Sequence, residues 1–205
     1  MVKIMSKIDI LDLGLKDYKE TLDLQYELLE KRISKQINDT LIFVEHPSVI
    51  TLGRKSNLDN ILKKDLPIYQ VERGGDVTYH GPGQLIGYPI IDSNHEKDIH
   101  KFLRRIEEIL ILTLKEYDLQ AQRKEKYTGV WIGEKKIASI GVSFRNWTSY
   151  HGFALNVSTD LDFFYNINPC GLESSIMTSM ELLLNQKVDI EQLKSSIYHK
   201  FVDLF

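Results

Sequence analysis

Arg73-Gly74-Gly75-Asp76-Val77-Thr78-Tyr79-His80-Gly81-Pro82-Gly83-Gln84 is the stretch on which the fold turns. It packs four glycines, an arginine and a histidine between two apolar runs, Ile68 to Val71 and Gln84 to Ile91, which read as strands. A connection from strand to strand matches neither G-x-G-x-x-G opening a helix nor G-x-x-x-x-G-K-[ST], so no nucleotide cofactor is implied. Glycine lets a backbone pass close to a ligand and turn its N–H groups inward. The stretch reads as a tight multi-turn loop or as a binding loop, and Arg73 and His80 bracketing the glycines favour the second.

Upstream, Leu15, Tyr18, Leu22, Tyr26, Leu29 and Ile33 recur at spacings of three and four, which predicts an amphipathic helix from about Leu15 to Gln36. Leu41 to Val44 and Val49 to Leu52 are short strand-like runs parted by Glu45-His46-Pro47-Ser48, and a β-β unit is expected there. Downstream, Asp98 to Tyr117 puts Phe102, Ile106, Ile109 and Leu110 on one helical face. Three further strands are expected at Tyr127 to Ile132, Lys136 to Phe144 and Tyr150 to Val157. Two closing helices begin with capping-box side chains at Thr178-Ser179-Met180-Glu181 and Asp189-Ile190-Glu191-Gln192. Helices and strands interleave without linker or repeat, so residues 1–205 are read as one mixed α/β domain.

The chain has 26 basic and 29 acidic side chains, a formal charge of −3, so it offers no global positive field for nucleic acid or an anionic membrane. Any acidic partner must find a local patch, for which Lys101, Arg104 and Arg105, or Arg123, Lys124 and Lys126, are the candidates; a solvated helix face is the alternative for the first. A single cysteine excludes an intramolecular disulfide and zinc sites built from several cysteines, and favours a reducing, cytoplasmic setting. Charges at Lys3, Lys7, Asp9 and Asp12 interrupt any secretory apolar core, and Ile109 to Leu114 is too short to cross a bilayer.

That cysteine, Cys170, stands in Asn168-Pro169-Cys170-Gly171. It reads as a small buried hydrophobe or, held in a Pro/Gly turn poor in side chains, as a nucleophile presented to a cleft. A thiol with an ordinary pKa of about 8.5 needs a basic or cationic neighbour, and Lys136 and His151 are the candidates. In a regular strand Lys136 shares a face with Ala138 and Ile140, while Lys135 points the other way. Lys136 could instead be a snorkelling surface residue and His151 a satisfied core histidine. No paired ligand spacing occurs among the histidines, so no metal is assigned, and Glu107-Glu108 reads as the solvated face of a helix.

Taken together, Arg73 to Gln84, Leu85 to Pro89, Thr128 to Trp131, Lys136 to Gly141, His151 to Asn156 and Pro169-Cys170-Gly171 resemble the lipoate biosynthesis octanoyltransferases. The resemblance implies an α/β domain similar to the catalytic domains of biotin and lipoate protein ligases. It implies octanoyl transfer from acyl carrier protein to one lysine of a lipoyl domain or of the glycine-cleavage H protein, without a cofactor. The family's acyl-thioester cysteine falls on Cys170 and its activating lysine on Lys136. Its substrate-contacting segments fall on Arg73, Gly74, Gly75, Asp76, Val77, Thr78, Tyr79 and His80, on Ser139, Ile140 and Gly141, and on Gly152, Phe153 and Ala154 beside His151.

The implied route is double displacement: Cys170 attacks the thioester, Lys136 handles the proton, and backbone N–H groups hold the oxyanion. Gly74-Gly75 and Gly152-Phe153-Ala154 are expected to wall an apolar slot, with Gly152 and Ala154 small to leave volume. The rival readings are an ATP-dependent lipoate or biotin ligase, an inactive relative that only binds lipoyl domains or carrier protein, and a cysteine hydrolase.

Overall fold

Strand alternation buried on both faces organises the centre of the molecule. In the computed structural model, which describes residues 8–205, strand β2 (Thr40–Glu45) sends Leu41 and Phe43 to one side and Ile42 and Val44 to the other, all fully buried. Around it a seven-stranded mixed sheet forms in the order β1-β2-β6-β10-β9-β8-β7. Its members are β1 (Asp9–Leu15), β2, β6 (Gln84–Ile90), β7 (Gln122–Lys124), β8 (Tyr127–Ile132), β9 (Lys135–Arg145) and β10 (Thr148–Asn156). Only the β1–β2 pair is parallel. A second sheet, in the order β4-β3-β5, comprises β3 (Val49–Leu52), β4 (Ile68–Gln70) and β5 (Val77–His80).

Helices cover both faces of the large sheet, as its two-sided hydrophobicity requires. Helix α2 (Ile99–Lys115), capped by Asp98, packs Phe102, Ile106, Ile109 and Leu110 against one face beside Leu193, Ile197 and Phe201 of α4 (Ile190–Leu204). Helix α1 (Tyr18–Ile33) lays Leu29 on the other face against Ile42, Ile86 and Tyr150, while its first turns, Tyr18 and Leu22, touch Val49 and Val71 of the small-sheet region. A short α3 (Met180–Leu184) completes the helices, and none of the described helices is long and apolar enough to cross a membrane.

Several sequence expectations change. The runs at Leu41 and Val49 do not pair: β2 belongs to the large sheet and β3 to the small one. The glycine stretch itself contains strand β5, which pairs with β3 from Val49↔His80 to Leu52↔Val77. The first helix starts at Tyr18, capped by Asp17, because residues Asp9–Leu15 extend as an edge strand. No capping box forms at Thr178; Ser179 is the N-cap without a side-chain bond, and the Glu181 carboxylate accepts from Val188 N–H at 3.0 Å. At the other predicted box Asp189 does cap α4, accepting from Glu191 and Gln192 N–H. Residues 1–7 of the charged N-terminal segment lie outside the described residues.

Candidate active site

A β-bulge decides where Lys136 points. Val130 pairs with Ala138, but Trp131 pairs with Lys136, so β9 carries one extra residue at Ile137. Ile137 and Ala138 both join the core under α2, and Lys136 is turned to the opposite face. This corrects the simple alternation that put Lys136 with Ala138 and Ile140. Lys136 is 3% exposed, its ammonium lies 5.6 Å from the Trp131 ring centre, and it lines a cavity of about 440 Å3. Lys135, on the other side of the strand, is exposed and donates to the Ser175 carbonyl at 2.6 Å.

The cavity opens where β8 and β9 part. Their pairing ends at Val130–Ala138, leaving Tyr127 and Thr128 on one side and Ser139 to Val142 on the other. Ile99 and Leu103 of α2, with Phe153 and Ala154 of β10, add apolar wall. A volume of about 440 Å3 falls within the range of small-molecule sites. The start of β8 is held by Glu107, which is 1% exposed and accepts from Gly129 N–H at 3.1 Å, Arg104 at 2.7 Å and Arg123 at 3.2 Å. Glu107 is therefore not part of a solvated face, and Glu108 beside it also binds Arg123.

The glycine stretch closes the opposite wall. Arg73, 8% exposed, donates to the Thr51 carbonyl at 2.7 Å and hydroxyl at 2.9 Å, clamping the loop on β3. Gly74 N–H donates to Val142 O at 3.0 Å, stitching loop to β9. Gly74, Gly75, Asp76, Val77, Thr78 and His80 all line the cavity, but Tyr79 is turned away. It stacks on Phe163, meets Phe164 edge-on and shares a hydrogen bond with Ser48 at 3.0 Å.

Ser139, Ile140, Gly141, His151, Gly152, Phe153 and Ala154 also line the cavity. The β10–β6 ladder runs from Asn156↔Gln84 to Phe153↔Gly87; two residues before it β10 kinks (His151 φ +55°), and the His151 N–H donates to Gln25 Oε1 at 2.8 Å. Gly152 is small for a reason other than cavity volume: a Cβ there would stand 2.0 Å from Gly87 O. Tyr18 and Tyr88, not anticipated from the sequence, complete a polar end with His80 and His151. Burial holds these groups uncharged: it lowers His80 and His151 to about 3 and His46 behind them to about 4, with His46 adding to the effect at His80 and Arg73 at His151. It also raises Tyr18 to about 12.

Cys170 lies in the 3-10 turn Pro169–Gly171, which packs against β5 and the short turn Leu58–Asn60. Asp76 of the cavity wall accepts from Asn60 Nδ2 at 2.5 Å, and Asn60 O accepts from Asn168 N–H at 2.8 Å. The chain leaving the turn returns to the lysine: Met177 bridges Lys136, and Thr178 N–H donates to Lys136 O at 3.0 Å. The fold thus brings the cysteine turn, the lysine strand and the glycine wall to one place. The basic stripe on α2 is already neutralised, Lys101 and Arg105 by Glu96 and Arg104 by Glu107. Among the described residues no cluster of three or more His, Cys, Asp or Glu side chains could hold a metal ion.

The family model of the lipoyl protein ligase A/B catalytic domain matches residues 17–202. The chain belongs to that family. It is 44% identical to the octanoyltransferase of Flavobacterium johnsoniae over 224 residues, covering 97% of each chain. Its fold matches that of an archaeal bi-partite lipoate protein ligase from Thermoplasma acidophilum, described with its E2 lipoyl domain, at a TM-score of 0.74 and 20% identity over 97% of this chain and 83% of that one. Biotin protein ligase from Aquifex aeolicus follows at a TM-score of 0.58 and 11% identity, over 98% of this chain and 69% of that one. The mixed α+β architecture expected from the resemblance is the one found, and the chain is an acyltransferase with octanoyltransferases among its relatives.

Proposed function

We propose that the protein takes octanoyl from octanoyl-acyl carrier protein onto Cys170 and passes it to a lysine of a lipoyl domain or of the glycine-cleavage H protein, in the cytoplasm, as one domain. The observation that carries this reading is a lysine 3% exposed in an apolar cavity, tied by backbone to the segment that leaves the cysteine turn. A buried ammonium is costly, and such placement is the usual mark of a group used in chemistry.

In the first step the Cys170 sulfur attacks the thioester carbonyl, the carbon–sulfur bond to the carrier breaks, and Lys136 relays the Cys170 proton to the departing thiolate. In the second the acceptor amine attacks, the Cys170 thioester bond breaks, and one amine proton returns to the sulfur through Lys136. At pH 7 about one such amine in 10³ is neutral, so the ammonium first sheds its extra proton to solvent, and only the proton displaced in the attack passes through Lys136. Exchange between thioesters is near thermoneutral and amide formation runs downhill, so the route needs no ATP. The segments Arg73 to His80 (Tyr79 excepted), Ser139 to Gly141 and His151 to Ala154 supply the walls that hold the acyl chain and the reacting carbonyl.

The test is to mix the enzyme with octanoyl-acyl carrier protein and an unmodified lipoyl domain, without nucleotide, and weigh the lipoyl domain. One octanoyl amide on a single lysine is expected. Modification only from free octanoate with ATP would replace this reading with that of a ligase.

A further inference from the structure

A buried hydrogen-bond relay fixes one proton in the cavity wall, and neither Cys170 nor Lys136 belongs to it. Its anchor is the Thr178 carbonyl, which can only accept, so Asn156 must turn its amide nitrogen there, Nδ2 to O 2.9 Å. Asn156 Oδ1 is then the acceptor that faces Gln84 Nε2 at 2.9 Å. The same nitrogen reaches a second carbonyl, Tyr79 O, at 3.4 Å. Gln84 Oε1 is left as an acceptor 2.8 Å from His80 Nδ1, so the His80 proton sits on Nδ1 and the lone pair on Nε2. Flipping either amide would set N–H against N–H or oxygen against a carbonyl. Gln84 is 2% and Asn156 1% exposed, so water does not restore what a flip would lose.

The relay also links the parts of the site. Thr178 is bonded through its own N–H to the Lys136 carbonyl, and β5, which carries His80, packs on the Pro169–Gly171 turn. Tyr18 stacks on the His80 ring at 6.1 Å and 11°, and His46 meets it edge-on at 6.2 Å. His80 lines the cavity, and among the described residues no group hydrogen-bonds its Nε2. The site therefore presents a rigid, permanent hydrogen-bond acceptor. Of the reactants, the acceptor lysine amine is the one that brings N–H donors to the reacting centre.

We propose that His80 Nε2 accepts an N–H of the incoming lysine amine and so aims the amine lone pair at the Cys170 thioester carbonyl, with Gln84 and Asn156 as positioning residues that lock the imidazole in that tautomer. The proposal rests on the double-displacement reading above. His80 gains and loses no proton: the N–C bond forms, the C–S bond breaks, and the displaced amine proton goes to sulfur through Lys136. An imidazole kept neutral by burial suits this task, because it does not compete with Lys136 for the proton.

The two half-reactions separate the roles. Octanoyl-Cys170 formation is followed by quenched intact mass, and transfer from the isolated acyl-enzyme to a lipoyl domain by loss of the adduct, for wild type, Gln84→Leu and Gln84→Glu. Gln84→Leu is expected to slow transfer about 10- to 100-fold, as loss of an aimed hydrogen bond does, and to slow acylation by less than about threefold. Gln84→Glu keeps an acceptor at Nδ1 but makes the imidazole more basic, so transfer should gain an acid limb at higher pH than in wild type. Equal slowing of both halves, or no effect on transfer, overturns the proposal. Wild-type His80 should show the Nδ1–H tautomer in 15N imidazole spectra, independently of any variant; an Nε2–H tautomer overturns it. If wild type forms no octanoyl-Cys170, the double-displacement reading falls first and this falls with it.

Discussion

Gly129→Ala tests how tightly packing sets the position of Lys136. Gly129 sits at φ +134°, where L side chains are strained, and a Cβ there would lie 2.5 Å from Ala138 O, 2.7 Å from Lys136 Cε and 3.4 Å from its Nζ. Backbone strain at such a φ costs about 1–3 kcal/mol, and forcing a methyl into packed surroundings about 1–3 kcal/mol more. Destabilisation of about 2–6 kcal/mol follows, or roughly 4–24 °C in Tm for a chain of this size. The lysine must also give way, and displacing a reacting group by as much as 1 Å costs up to about 10²-fold in rate. Gly133→Ala is the control: its φ is +54°, but a Cβ would meet nothing within 4 Å. It should cost about 1 kcal/mol and leave the rate alone. Urea unfolding and single-turnover octanoyl transfer on both variants decide the matter. The reasoning is refuted if Gly129→Ala is as stable as Gly133→Ala and transfers at the wild-type rate.

Two further predictions concern stability. His46, His80 and His151 are held by burial at about 4, 3 and 3, below the ordinary 6.5, so between those values and 6.5 the unfolded chain binds protons that the native one refuses. Stability should therefore be full above about pH 6.5 and fall as pH drops, by up to about 4 kcal/mol per unit near pH 5 if all three contribute; a flat urea midpoint between pH 7 and 5 would contradict their burial. Glu107→Ala should lower stability by about 3 kcal/mol, because it orphans Gly129 N–H and strips Arg104 and Arg123 of a buried partner. Glu108→Ala, at a surface ion pair, should cost less than about 1 kcal/mol, and equal losses in the two variants would remove Glu107 from its anchoring role.

What could be read from residues alone was whatever repeats locally. Helix α2 announced itself through its apolar spacing, and β10 through its run of apolar and small residues. The glycine stretch drew notice for its composition, but β5 within it is only four residues long and depends on β3 for its shape. Lys136 was picked out by motif while its direction was misread, because a one-residue bulge is a property of the β8–β9 pair and not of either strand. Glu107 looked solvated because its partners Arg123 and Gly129 come later in the chain. The relay from His80 to Thr178 stayed invisible for the same reason: its members come from three strands and a loop that only tertiary structure brings together.

The central claim is that Cys170 carries the acyl group, and the most direct measurement is the intact mass of the enzyme after exposure to octanoyl-acyl carrier protein without ATP. The account predicts one octanoyl adduct, released by hydroxylamine, absent from Cys170→Ala and formed far more slowly by Lys136→Met. A wild-type protein that turns over yet never gains that mass, or a Cys170→Ala protein that still does, would contradict it.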